Sequence, residues 1–151
     1  MTAAGWELQK AIFAQLDGNL SSAVYDHVPS NAPFPFIVVG DATANDWGAG
    51  DLDGEEHALS IHIWSRYHGR MQMKQMMGEI KAALAQPLPA LAGHVLVDLR
   101  FVFADEFPDP DGISRHGVVI VSRAARFHVV RMTSTNSSTF YSHMCFLPAR
   151  R

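Results

Sequence analysis

Fifteen carboxylates, eight histidines and a single cysteine are the residues of this chain from which an active site would have to be built. His57 and His62 stand five apart, which puts them on opposite faces of one extended strand. No His-Glu-x-x-His, Cys-x-x-Cys or facial-triad spacing occurs to hold a zinc or iron ion. Placing Gly54 at the sixth position of a calcium loop puts Ala49 first and Ser60 last, and neither supplies the required carboxylate. Glu55 and Glu56 are adjacent, so on a strand they point apart and cannot share acid–base work. There is no Gly-x-Ser-x-Gly elbow and no phosphate-cradling glycine loop. Cys145 has no base patterned around it that would activate a thiolate. These patterns predict no catalytic, metal or cofactor site.

The elements that would position any site are easier to read. The segment Asp53–Arg66 (DGEEHALSIHIWSR) alternates, with Leu59, Ile61 and Ile63 on one face and Ser60, His62 and Trp64 on the other. Period-two patterning predicts a strand with one face on a core. Leu8, Ile12 and Leu16 recur every four residues and predict a helix over Trp6–Leu16. A short extended piece lies at Ala23–Asp26, and Phe36–Gly40 reads as a strand entered through Pro33 and Pro35. A second helix is expected over Gly69–Gln86, with Met73, Met76, Met77, Ile80 and Leu84 as its apolar stripe. His94–Phe107 alternates with Val95, Val97, Leu99, Phe101 and Phe103 on one face. The reversal Phe107-Pro108-Asp109-Pro110-Asp111-Gly112 then leads to a strand from His116 to Met132, completing a β-hairpin. Between the first two long strands, Asp41–Gly54 reads as a loop of about a dozen residues, long for a hairpin connection. It carries Asp41, Asp46, Asp51, Asp53 and Trp47, an aromatic that either folds back on the domain or awaits a partner.

Composition places the chain among soluble single-domain folds: 48% of residues are hydrophobic and 18% charged. No apolar run approaches the roughly 18 residues needed to cross a bilayer. The N-terminus lacks a basic and then apolar leader pattern, and a lone cysteine suits a reducing compartment. The net charge of −3 is unevenly spread along the sequence. All fifteen acids lie at or before Asp111, whereas six arginines and no acids follow Gly112. Such a split gives either two faces of opposite sign or charges that mix once loops are folded together. It does not resemble the basic, aromatic-interleaved pattern of a sequence-specific nucleic-acid binder. The polar run Thr133–Thr139 divides an α+β domain over 1–131 from a short extension over 132–151.

A set of short motifs occurs in a fixed order: Val24-Tyr25-Asp26 with Val28-Pro29, then Ala32-Pro33-Phe34-Pro35-Phe36. Asp53-Gly54-Glu55-Glu56-His57, His62-Ile63-Trp64-Ser65-Arg66 and Leu99-Arg100-Phe101 follow. Asp109-Pro110-Asp111-Gly112 with Arg115-His116-Gly117 closes the set. In this order, over residues 5–130, the chain resembles the small tail-completion, or tail-terminator, proteins of siphophages and gene transfer agents. The resemblance implies an α+β subunit with an antiparallel or mixed sheet of about four to five strands against two main helices. It implies a hexameric ring that caps the tail tube, meets the tail-tube protein and a head–tail connector or stopper, and lets DNA through its lumen. The expected location is then the virion tail or neck, assembled in the host cytoplasm, with no enzymatic activity and no cofactor. Other roles stay open: a different neck component such as the head–tail stopper, or a small metal-dependent hydrolase using His57, His62 and Glu55.

Under the ring reading, the expected contact residues are the acids and tryptophan of the loops and five arginines, of which Arg66 and Arg70 stand at the strand-to-helix corner. They are Trp47, Asp51, Asp53, Glu55, Glu56, Asp109 and Asp111 on one side, and Arg66, Arg70, Arg115, Arg123 and Arg126 on the other.

Overall fold

The computed structural model describes residues 3–48, 50 and 53–126, the last four as backbone only. The elements run α1 (Ala4–Asn19), β1 (Ala23–Tyr25), β2 (Phe36–Asp46), β3 (Gly54–Ser65), α2 (Met71–Leu84), β4 (Val95–Leu96), β5 (Arg100–Pro108) and β6 (Arg115–Arg126). They form one mixed sheet. β1 pairs parallel to β2, and β2–β3, β3–β6, β6–β4 and β6–β5 are all antiparallel. β4 and β5 pair successive stretches of the same edge of β6, so the sheet is five rows wide. The α+β class, two helices against a mixed sheet, is the one expected.

Both helices cover a single face. Ile37, Leu59, Ile61, Ile63, Val119 and Val121 from the sheet meet Leu8, Ile12 and Leu16 of α1 and Met73, Met76, Met77 and Ile80 of α2 in one core. The methionine stripe is therefore core packing. Gly117 explains how closely α2 approaches: a Cβ there would lie 2.5 Å from Met73 Sδ and 2.9 Å from Met77 Cε. Its missing side chain is the space the helix occupies.

The sequence expectations fail in two places. The acidic stretch read as a long loop is mostly strand: β2 runs on to Asp46, with Ala42–Asp46 paired to Leu59–Glu55, and only residues 47–53 connect it to β3. This part of β2 is solvent-exposed on all its residues, so no apolar alternation marked it; it is extended because β3 offers a ladder. The shift in register between Val39 and Ala42 accommodates Gly40, whose Cβ would fall 2.5 Å from the His62 ring.

The other failure is at β4–β5. Val95, Val97, Phe101 and Phe103 do not line the core as the alternation predicts; all four are exposed. Pairing is interrupted between Leu96 and Arg100, and a register shift at Val102 sets Phe101 opposite Val121 but Phe103 opposite Ile120. One extra residue moves the two phenylalanines to opposite faces. The expected strand from His116 to Met132 is seen as far as Arg126; its remainder and the extension lie outside the described residues.

Candidate functional site

The face of the sheet that the helices leave uncovered is built from the alternate residues of the core strands. Val38, His62, Trp64, His116, Val118, Ile120, Phe103 and Phe107 share it, because Val38 pairs with His62, Trp64 with His116, Ile120 with Phe103 and His116 with Phe107. At one end, a row of ring contacts crosses five strands. Tyr25 meets Phe36 edge-on at 5.9 Å, Phe36 and Trp64 stack at 6.4 Å, and Trp64 and His116 at 4.1 Å with planes 8° apart. Phe107 meets His116 edge-on at 4.9 Å. His62 Nδ1 and His116 Nε2 share a hydrogen bond of 2.8 Å, and His62 Nε2 lies 3.1 Å from Ser60 Oγ. Partial burial and the neighbouring His62 hold the His116 imidazole below its ordinary value of 6.5, against a smaller upward pull from Asp109. His116 is thus biased toward its neutral form within a stacked, half-buried aromatic row.

His57 lies on the opposite, helix-covered face, buried against Gly5 of α1 with its Nε2 3.0 Å from Glu55 Oε2. His57 and His62 therefore do not converge, and among the described residues no group of three or more His, Cys, Asp or Glu side chains is placed to hold a metal. Glu56 points the other way and accepts a weak bond from Ser122 Oγ at 3.4 Å. An open cleft of about 390 Å³ between the β1 region and α2 is lined by Ser21, Phe34, Gln72, Gln75 and Glu79, which include no nucleophile–base pair.

The second concentration of polar groups is the corner where β3 passes into α2 and β5 turns into β6. The turn there is self-contained. Asp109 N donates to Ser114 O at 2.9 Å, and Gly112 supplies φ of 70°. Asp111 Oδ1 accepts from the Ile113 and Ser114 amides, and its Oδ2 from Ser114 Oγ at 2.7 Å. Those Ser114 and Ile113 bonds, helped slightly by Arg66, hold the Asp111 carboxyl below its usual range. Arg66 Nε donates to Ser114 Oγ at 3.2 Å, and its guanidinium lies 4.1 Å over the Phe34 ring. Beside it, one carboxylate that the sequence reading missed gathers three cations. Glu106 lies 3.6 Å from Arg70 Nε, 3.6 Å from Lys74 Nζ and 3.7 Å from Arg115 Nε.

Of the expected contact residues, Arg66, Arg70, Arg115, Asp109 and Asp111 thus come together in one corner. Trp47, Asp53, Glu55 and Glu56 gather at the other end of β3; Trp47 is partly exposed and its amide donates to Gly54 O at 2.8 Å. Asp51 lies outside the described residues. The backbones of Arg123 and Arg126 pair with His57 and Gly54, at the acidic end. The backbones of two arginines from the basic part of the sequence thus lie beside its acids, while Arg115 lies at the other corner; Arg131, Arg150 and Arg151 lie outside the described residues. Glu106 carried no local signal: it becomes a partner only through the β5–β6 register, which sets it opposite Gly117 on the side of α2.

Comparison with known proteins gives one consistent family. The family described as "Tail completion protein gp17" matches residues 9–124. Tail completion protein gp17 of Bacillus phage SPP1 is 24% identical over 119 residues, covering 76% of this chain and 88% of the relative. Among solved structures, a chain in the virion of a native gene transfer agent particle superposes with a TM-score of 0.73 at 22% identity. That match spans 83% of this chain and 99% of the other. The structure of bacteriophage SPP1 gp17 superposes with a TM-score of 0.51 at 21% identity, over 80% and 89% of the two chains.

Proposed function

Because this chain belongs to the tail completion protein gp17 family, whose members are structural parts of the phage tail and not enzymes, we propose that it caps the tail tube as a ring. In this reading the ring is hexameric, ends tube polymerisation and joins the tube to the head-proximal neck, with DNA passing through its lumen without sequence recognition. Its partners are the tail-tube protein on one side and a connector or stopper on the other.

The observation that carries the reading is the uncovered face and edge of the sheet. Phe103 and Phe107 are 50% and 41% exposed, beside the exposed Val102 and the half-buried Trp64, Val118 and Ile120. A sheet apolar on both faces, whose described helices lie on one of them, is suited to burying the other against protein. Subunit contacts that are heterologous and closed make rings. An interior that lets DNA pass needs no basic track, which fits a chain of net charge −3.

Particles assembled without this chain test the reading. Tails of abnormal length are expected if it terminates tubes. Tails of normal length that lack heads would instead assign it a joining role, as for a stopper. Native mass spectrometry of the isolated protein should show a single closed oligomer, and a strictly monomeric protein that does not bind tube ends would defeat the ring.

A further inference from the structure

The corner around Glu106 has more positive charge than its one buried carboxylate can satisfy. Glu106 is 6% exposed, and neither of its oxygens has a hydrogen-bond partner; the Arg115 Nε is likewise unsatisfied. The three ion pairs at 3.6–3.7 Å exceed the 2.7–3.2 Å of a formed N–H···O bond. Arg70 and Lys74 are 73% and 63% exposed, so their heads reach outward from a shared buried counter-ion. α2 starts at Met71 with no side-chain cap at Arg70, which adds the positive end of a helix to the same corner. Even with Asp109 and Asp111 counted, four cations (Arg66, Arg70, Lys74, Arg115) face three carboxylates, and Asp111 is already committed to its turn.

The opposite end of the same strand is acidic. Asp46, Asp53, Glu55 and Glu56 cluster where β2 and β3 meet, against the two arginines of the β6 backbone there. β3 has 12 residues, so its ends stand about 36 Å apart and cannot meet within one chain. A duplex phosphate backbone is a poorer fit to the corner, because Glu106, Asp109 and Asp111 interrupt any track of cations. A short acidic prong fits it.

We propose that the Arg70–Lys74–Arg115 corner around Glu106 is the docking site for the acidic β2–β3 hairpin end of a second copy of this chain. The incoming carboxylates accept the charge-assisted bonds that Glu106 is too distant to take. Contact between opposite ends of one strand is head-to-tail, the kind that closes into a ring. This assignment rests on the ring reading and names the groups that make its contact.

Native mass spectrometry, with carbodiimide cross-linking of Lys74 to carboxylates, tests it on the full chain. Lys74→Glu, and separately Asp53→Lys with Glu56→Lys, should each weaken assembly about tenfold or more. Combining them should restore it to within a few-fold, and Lys74→Gln should show a milder loss with the fold intact by circular dichroism. In the wild type, Lys74 should cross-link to Asp46, Asp53, Glu55 or Glu56 of another copy. A wild type that assembles, with variants of unchanged mass, overturns this contact and leaves the ring standing. A monomeric wild type without the cross-link overturns both. Loss of duplex-DNA retention by Lys74→Glu at unchanged assembly overturns the docking site in favour of a phosphate site.

Discussion

Glu106 illustrates how one residue can hold a corner together. Exchanging it for glutamine would leave Arg70, Lys74 and Arg115 facing one another around a neutral amide. Glu106→Gln should lower the unfolding free energy by about 1–3 kcal/mol, read from the urea midpoint. His116 sets a different sensitivity. Its folded pKa lies below the unfolded value of 6.5, chiefly through desolvation and then the adjacent His62. The unfolded chain therefore binds the proton more readily. The stability the neutral ring contributes is complete above about pH 6.5 and is lost as pH falls from there through the depressed folded value. Urea midpoints measured from about pH 8 down to about pH 5 should fall, and His116→Phe should flatten that slope. At this scale the sequence was only partly legible. It put Arg66 and Arg70 at the corner between a strand and a helix, where β3 passes into α2, but Glu106 sits in a strand whose register no local pattern encodes.

The elements differ in how plainly the chain announces them. β3 was readable because every second residue from Leu59 to Ile63 is apolar and its core face is continuous. β5 misled because alternation reports two faces but not whether a strand is central or at an edge, and one bulge at Val102 reverses the faces. The outer half of β2 was invisible for the converse reason: Ala42–Asp46 has no apolar face and extends only because β3 is beside it. Two substitutions separate the faces. Gly117→Val puts branched carbon where Met73 and Met77 pack and should destabilise by about 1–3 kcal/mol in a thermal or urea melt. Phe103→Lys, on the uncovered side, should change stability by no more than about 0.5 kcal/mol while reducing self-association measured by sedimentation.

For the whole molecule, the architecture is a one-sided layer: helices and core behind, an aromatic and aliphatic sheet face in front, and ends of unlike charge. Membership of the tail completion family places it in the virion as a structural protein of the phage tail rather than an enzyme. Salt should act on the two kinds of contact differently. Raising ionic strength from about 0.05 to 0.5 M should weaken end-to-end docking, since exposed charges are screened within about 10 Å or less, while contacts through the sheet face persist. The most direct check of the central claim is the length of tail tubes polymerised from purified tube protein with and without this chain, measured in electron micrographs. Lengthening should stop when it is added, with a cap visible at one end of each tube. Tubes that grow to the same lengths with bare ends would contradict the account.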